Sequence, residues 1–142
     1  MGNRAVITTQ HEWETDGIGI YLHWNGGADS VEAFLKYCEL KGYPSPDADC
    51  YGFARLCQVI GNFFGGGLSL GIDKLWYLDK DNGDNGVYIV KNWEIVERIY
   101  HDGPEQQEYP LAEMLRERDN RMPEREKIGA DKLAEMLAGA SQ

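Results

Sequence analysis

Residues 18–40 read IGIYLHWNGGADSVEAFLKYCEL. Within this one stretch the hydrophobic period changes. Ile18, Ile20 and Leu22 alternate with Gly19 and Tyr21, the period of two that marks a strand. Val31, Phe34, Leu35 and Cys38 then recur at i, i+3, i+4 and i+7, the stripe of an amphipathic helix. Asn25-Gly26-Gly27 stands between the two patterns. Asp29 and Glu32 form a capping-box-like pair, which predicts a helix start near Asp29 or Ser30. Gly42 suits the left-handed position after the helix, and Pro44 blocks continuation.

The pattern extends outward from there. RAVITT (4–9) is short and β-branched, and predicts a first strand. It pairs as a hairpin with Ile18–Trp24 through the polar turn Gln10–Asp16. A second helix is predicted from Asp49 to Phe64. Phe53, Ala54, Cys57, Ile60 and Phe64 mark one face, and Leu56, Val59 and Phe63 widen it, so the helix reads as mostly buried. Gly65-Gly66-Gly67 ends it. Leu68–Ile72 is a predicted strand that Leu75–Leu78 extends. Val87–Lys91 and Glu94–Tyr100 are two more, joined by a hairpin turn at Asn92-Trp93. Pro110 suits a first helical turn before Leu111, Met114 and Leu115, and a last helix spans Asp131–Leu137. The whole is an α+β fold: a mostly antiparallel sheet of about five to six strands covered by helices, with a C-terminal helical segment. Residues 1–110 form the core domain and 111–142 a helical extension.

The chain has 142 residues, enough for one domain with a real core. No apolar run approaches the ~20 residues of a membrane span. The N-terminal MGNRAVITTQ lacks the apolar centre of a secretory signal. A cytoplasmic protein without membrane attachment is expected. Cys38, Cys50 and Cys57 form no CxxC pair and fit reduced thiols, with core packing as their plain role. His11, His23 and His101 are too scattered for a zinc site, and no metal or other cofactor is expected. The net charge is −10, of which residues 111–142 contribute only −1. General nucleic-acid binding, which needs clustered Lys and Arg, is a poor fit. A small anionic nucleotide is not, because it needs only one or two local bases and some backbone N–H groups.

The candidate chemistry is sparse. Asn25-Gly26-Gly27 is a tight turn on its plain reading and a phosphate cradle on its sharper one, but it is neither a Walker loop nor a full GxGxxG. An EF-hand begun at Asp81 in the loop Asp79–Gly86 puts Gly86 correctly at position six but Asn92 where a bidentate Glu is needed, so the loop reads as a hairpin connection. Arg4 and Arg55 are surface charges by default and phosphate partners by alternative. No nucleophile elbow, HExxH or carboxylate pair is present. His23 is the best candidate for a general base.

MGNRAVIT (1–8), YLHWNGG (21–27), VEAFLKYCELKGY (31–43), CYGFARLCQVIGNFFGG (50–66) and DNGDNG (81–86) together resemble the first Thoeris anti-defence family of phages and prophages. The likeness covers about residues 1–100. Members of that family are sponges, which sequester the cyclic nucleotide signals of bacterial immunity without degrading them. The resemblance implies binding of glycocyclic ADP-ribose isomers made by TIR enzymes, and of CBASS cyclic trinucleotides in some members. It implies homo-oligomers, from dimers to hexamers, in a host cytoplasm. One departure is Ala28, where an arginine is expected after the glycines; its guanidinium would add a phosphate contact of ~1.5–3 kcal/mol.

A non-catalytic pocket on these lines uses Trp24 or Trp93 against adenine. The N–H groups of Gly26 and Gly27, with Arg4 or Arg55, meet the pyrophosphate. His23 borders the site, and Asn25, Asn85 and Asn92 serve ribose. Two other readings stand beside it. One is an acidic inhibitor of anti-CRISPR type that binds a defence protein. The other is a nucleotide-processing enzyme with His23 as base.

Overall fold

A computed structural model of the protein describes residues 3–10, 17–65, 69–101, 105 and 108–140. It is α+β, as expected, with five strands in one sheet. β1 (Ala5–Thr8) and β2 (Ile18–Leu22) pair antiparallel, Ala5 opposite Leu22 and Thr8 opposite Gly19. Most of the predicted turn between them, from His11 onward, lies outside the described residues. β3 (Leu70–Lys74) adds antiparallel to β2 at one edge. β4 (Val87–Lys91) and β5 (Glu94–Ile99) form the second hairpin. The sheet order is β3-β2-β1-β4-β5, and β1 lies parallel to β4. Residue alternation specifies which side chains face a core. It does not specify strand direction, which the connections decide.

Alternation divides the sheet into two faces. Ala5, Ile7, Ile20, Leu22, Tyr88 and Val90 point to the main core under the helices. Val6, Val87 and Ile89 point the other way, to a small cluster closed by Leu75. Leu75–Leu78 does not extend a strand as expected: Leu75–Tyr77 is a 3-10 turn that folds Leu75 back under the sheet.

α1 (Ala28–Leu40) buries Val31, Phe34, Leu35 and Cys38, as their spacing predicts. Its start is one or two residues earlier than expected, with Gly27 as N-cap and no side-chain cap. Asp29 is instead inside the first turn. Its Oδ1 accepts from the Ser30 N–H and its Oδ2 from the Glu108 N–H at 3.0 Å, so the carboxylate ties down a distant segment. Gly42, at φ 77°, takes up the left-handed exit.

α2 (Cys50–Phe64) is capped by Asp49, whose Oδ1 accepts from the Gly52 N–H at 2.9 Å, and it ends at Gly65 with φ 70°. The core-facing stripe is Leu56, Val59, Ile60 and Phe63. The flank carrying Phe53, Ala54 and Cys57 is only partly covered, so the helix is less enclosed than its composition implies. Gly66 and Gly67 lie outside the described residues. α3 (Leu111–Arg121) and α4 (Ala130–Ala140) complete the helical layer. Pro110 is the N-cap of α3 rather than its first helical residue. Leu115, Met122 and Leu133 join the main core cluster.

One turn follows the sequence closely. Asn92 and Trp93 have φ 54° and 61°, the left-handed pair of a tight hairpin turn. Among the described residues no helix is long and apolar enough to cross a membrane.

Candidate functional site

The turn between β2 and α1 is shaped by a close approach. A Cβ on Gly26 would lie 2.5 Å from the Asn3 carbonyl oxygen and 2.7 Å from the Ala5 Cβ. The Gly26 N–H donates to that same Asn3 oxygen at 2.9 Å, and the Gly26 carbonyl accepts from the Tyr88 hydroxyl at 2.6 Å. Both polar groups of Gly26 are therefore engaged within the protein. Asn25 before it has φ 59°, which asparagine tolerates well, and this swings the chain off the sheet.

Beyond Asn25 a cavity of about 320 Å³ opens between the start of α1, the end of α2 and α3. Asn25 and Ser30 line one side and Phe63 the back, with Arg118, Glu113 and Glu117 contributed by α3. Tyr109, largely exposed, borders the cavity.

Arg118 is the unusual member. It is 1% exposed, and its guanidinium lies 4.1 Å from the Phe34 ring centre and 4.6 Å from that of Phe63. It donates from Nη1 to the Met114 carbonyl at 3.3 Å and from Nη2 to the Ser30 carbonyl at 3.1 Å. Its Nε is buried without a hydrogen-bond partner among the described residues. None of the ion pairs among the described residues involves it. Burial pushes the guanidinium down to about 10, against the opposing pull of Glu117 and Asp29. It therefore stays charged at neutral pH. A buried charge normally has an ionic partner, because desolvation costs several kcal/mol. The two ring faces compensate in part, at roughly 0.5–2 kcal/mol each. An anion in the cavity would compensate further.

The expected site residues fall into separate places. Asn25 reaches the cavity, and Gly26 and Gly27 shape the approach to it. Arg4 lies against the 79–86 loop, to which Asn85 belongs. The Arg4 Nε donates to Asp84 at 2.9 Å, with Asp79 at 3.8 Å, and the Asn85 side chain donates to Asn3 and to the Arg4 carbonyl. His23 Nδ1 is 3.1 Å from the Tyr21 hydroxyl, and its ring meets Trp24 edge-on at 5.2 Å. Trp24 is 45% exposed. Arg55 contacts Gln58 one turn along α2. The Asn92 N–H donates to Ser45 and Asp47, while Trp93 is 7% exposed and donates from Nε1 to the Tyr43 carbonyl at 3.0 Å. Asn92 and Trp93 are thus at a hairpin tip and Arg55 is on α2, apart from the residues lining the cavity.

Arg118, Ser30, Glu113 and Glu117 were not singled out by sequence reasoning. One signal did exist. Leu111, Met114, Leu115 and Arg118 stand at i, i+3, i+4 and i+7, so an arginine occupies a place on an apolar stripe.

A larger groove of about 510 Å³ runs between α2 and the β2–β3 side of the sheet, past Ile18, Phe53, Cys57 and Ile72. Among the described residues its lining includes Asp47 and Asp49 but no Lys or Arg, which disfavours an anionic ligand. Among the described residues no group of His, Cys, Asp and Glu is arranged to hold a metal ion.

Fold and cavity together define a small α+β domain with a buried cation beside a cavity. Comparisons with protein-family models, curated proteins and solved structures find no significant match to this chain.

Proposed function

We propose that the protein is a non-catalytic binder that sequesters a cyclic nucleotide immune signal, a glycocyclic ADP-ribose isomer or a cyclic trinucleotide, in a host cytoplasm. Likeness to the phage sponge family supplies the ligand class. The observation that carries the reading is Arg118: a guanidinium 1% exposed, in no ion pair among the described residues, in the wall of a cavity. Such a charge is only partly compensated by the protein's own groups and better compensated when an anion binds. Binding then draws on a charge already desolvated and held in place by two rings, which favours tight equilibrium capture. Homo-oligomers would let larger ligands engage more than one copy.

The test is to mix purified protein with these nucleotides, remove the protein by filtration and analyse both fractions by mass spectrometry. Sequestration predicts depletion of the filtrate and release of intact ligand on heating. Arg118→Met should abolish depletion while leaving the fold as stable as before or more so, because an apolar side chain replaces a desolvated charge between Phe34 and Phe63. Undiminished depletion by that variant would move the site elsewhere. Conversion of the nucleotide at substoichiometric protein would make the protein an enzyme. Absence of depletion would favour a protein-binding inhibitor. Trp76 and Tyr77, about 70% exposed side by side on the 3-10 turn, are then the surface to probe.

A further inference from the structure

β3 is an open edge: among the described residues no strand pairs with it on the side away from β2. The Leu75 N–H donates to the Gly17 carbonyl at 2.9 Å, and the His23 N–H to the Ser69 carbonyl at 3.0 Å. Antiparallel pairs alternate between bonded and non-bonded, so Gly71 and Asp73 also turn their backbone groups toward β2. Leu70, Ile72 and Lys74 turn theirs outward. The Lys74 N–H is taken by the Asp73 carboxylate at 2.7 Å. The N–H and C=O groups of Leu70 and Ile72 face the open side. Edges are commonly blunted by bulges and charges. The opposite edge, β5, has both: a register shift against β4 and the charges of Glu94, Glu97 and Arg98. β3 pairs with β2 without a shift, and its two charges, Asp73 and Lys74, sit together at its end.

The groove of about 510 Å³ runs beside this edge. Ile72 pairs with Ile20, and Ile18 stands two residues before Ile20, so all three share the core-facing side of the sheet. Ile20 is 0% exposed, yet Ile18 and Ile72 are 46% and 54% exposed, so the helical layer leaves this corner of the sheet open. Phe53 and Cys57 of α2 form the other wall. A strand added to β3 would carry alternate side chains on the Ile72 face, over the groove. Charge selects the occupant. Exposed Asp47 and Asp49 line the groove, with no Lys or Arg among its described residues. The chain carries −10, so a second copy brings like charge and a basic partner brings the complement. Tyr77, 69% exposed just beyond β3, adds a ring face of the kind that cations favour.

We propose that the β3 edge and its groove bind an extended segment of another protein by strand addition, with apolar side chains at alternate positions entering the groove and flanking Lys or Arg complementing Asp47 and Asp49. Backbone bonds to Leu70 and Ile72 supply affinity, and the groove supplies the choice of side chain. The groove shares no lining residue with the Arg118 cavity, so this inference stands apart from the nucleotide reading.

The experiment titrates the full chain with the blocked peptide Lys-Thr-Val-Thr-Val-Thr-Lys, whose lysines and valines share a face, and follows amide hydrogen exchange by NMR. Exchange at Leu70 and Ile72 should slow roughly tenfold or more with bound peptide, while Gly71 and Asp73, already bonded to β2, change little. The counterpart Glu-Thr-Val-Thr-Val-Thr-Glu should bind roughly tenfold more weakly at low salt. Asp47→Asn/Asp49→Asn, in which asparagine still caps α2, should bring the two peptides to within about threefold. Ile72→Pro removes an outward N–H without touching the bonds to β2 and should abolish binding. Binding that leaves Leu70 and Ile72 unprotected would overturn the proposal, as would equal affinity for the two peptides or no binding of the basic one. Protection of the same amides by raised protein concentration alone would make the occupant a second copy and overturn it too.

Discussion

Arg118 and Asp84 show how burial and pairing set the behaviour of a charge. Arg118 has burial that outweighs the pull of Glu117 and Asp29, and its proton is held less tightly than that of a free guanidinium. Asp84 has the reverse. Its Oδ2 accepts from the Arg4 backbone N–H at 3.0 Å and from Arg4 Nε at 2.9 Å, and these bonds hold its carboxyl below the ordinary value. The folded protein therefore releases that proton more readily than the unfolded chain, where the pKa is about 3.9. The stabilisation is fully present above that value and is lost as pH falls through the lower folded one. Asp84→Asn should reduce the urea midpoint at pH 7 relative to wild type, and the difference should shrink progressively as pH falls below the ordinary carboxylate range. A difference that persists in acid would assign the effect to packing rather than to the charge.

At the scale of elements, the β2–α1 turn was legible in outline and not in detail. The change of period located it, and the stripe Val31-Phe34-Leu35-Cys38 appears in the core as spaced. The cap was misplaced because a capping pair was read from local sequence alone. Asp29 looks like a cap next to Glu32, yet its Oδ2 bonds to a backbone 79 residues further on. No local pattern carries that information. Gly26 was open between a phosphate cradle and a tight turn, and its structure is a close crossing over β1. Gly26→Ala should cost about 1–3 kcal/mol, since the new Cβ meets backbone that cannot rotate away. It should also weaken nucleotide depletion by shifting the start of α1. Urea unfolding and the filtration assay read the two effects separately. A variant with wild-type stability would show that β1 and the turn can separate.

At the scale of the molecule, fold class and strand number followed from alternation and stripe, while sheet order and the site did not. The parallel pairing of β1 with β4 joins segments about 80 residues apart. The cavity draws Asn25, Phe63 and Arg118 from three distant segments. Aromatic and glycine words near the N-terminus drew attention to one half of the site, and the half on α3 lay in a region read as an extension. The 111–142 segment buries Leu115, Met122 and Leu133 in the main core, and the Tyr37 hydroxyl donates to Asp119 at 2.6 Å. Three such apolar side chains are worth ~1.5–3 kcal/mol each, against a total stability of ~5–15 kcal/mol. Removal of residues 111–142 should thus leave a chain without cooperative unfolding, as followed by circular dichroism. A sharp transition in the truncated chain would show that the first 110 residues fold alone.

The place of β1 in the middle of the sheet has a consequence for synthesis. It precedes the other four strands of the sheet in the chain, and one of its edges stays unpaired until residues 87–89 follow. Its backbone groups must wait, and an unpaired strand edge invites the wrong neighbour. The sheet closes only once β4 has followed β1 by about 80 residues, so β1 depends on a distant partner to complete its ladder.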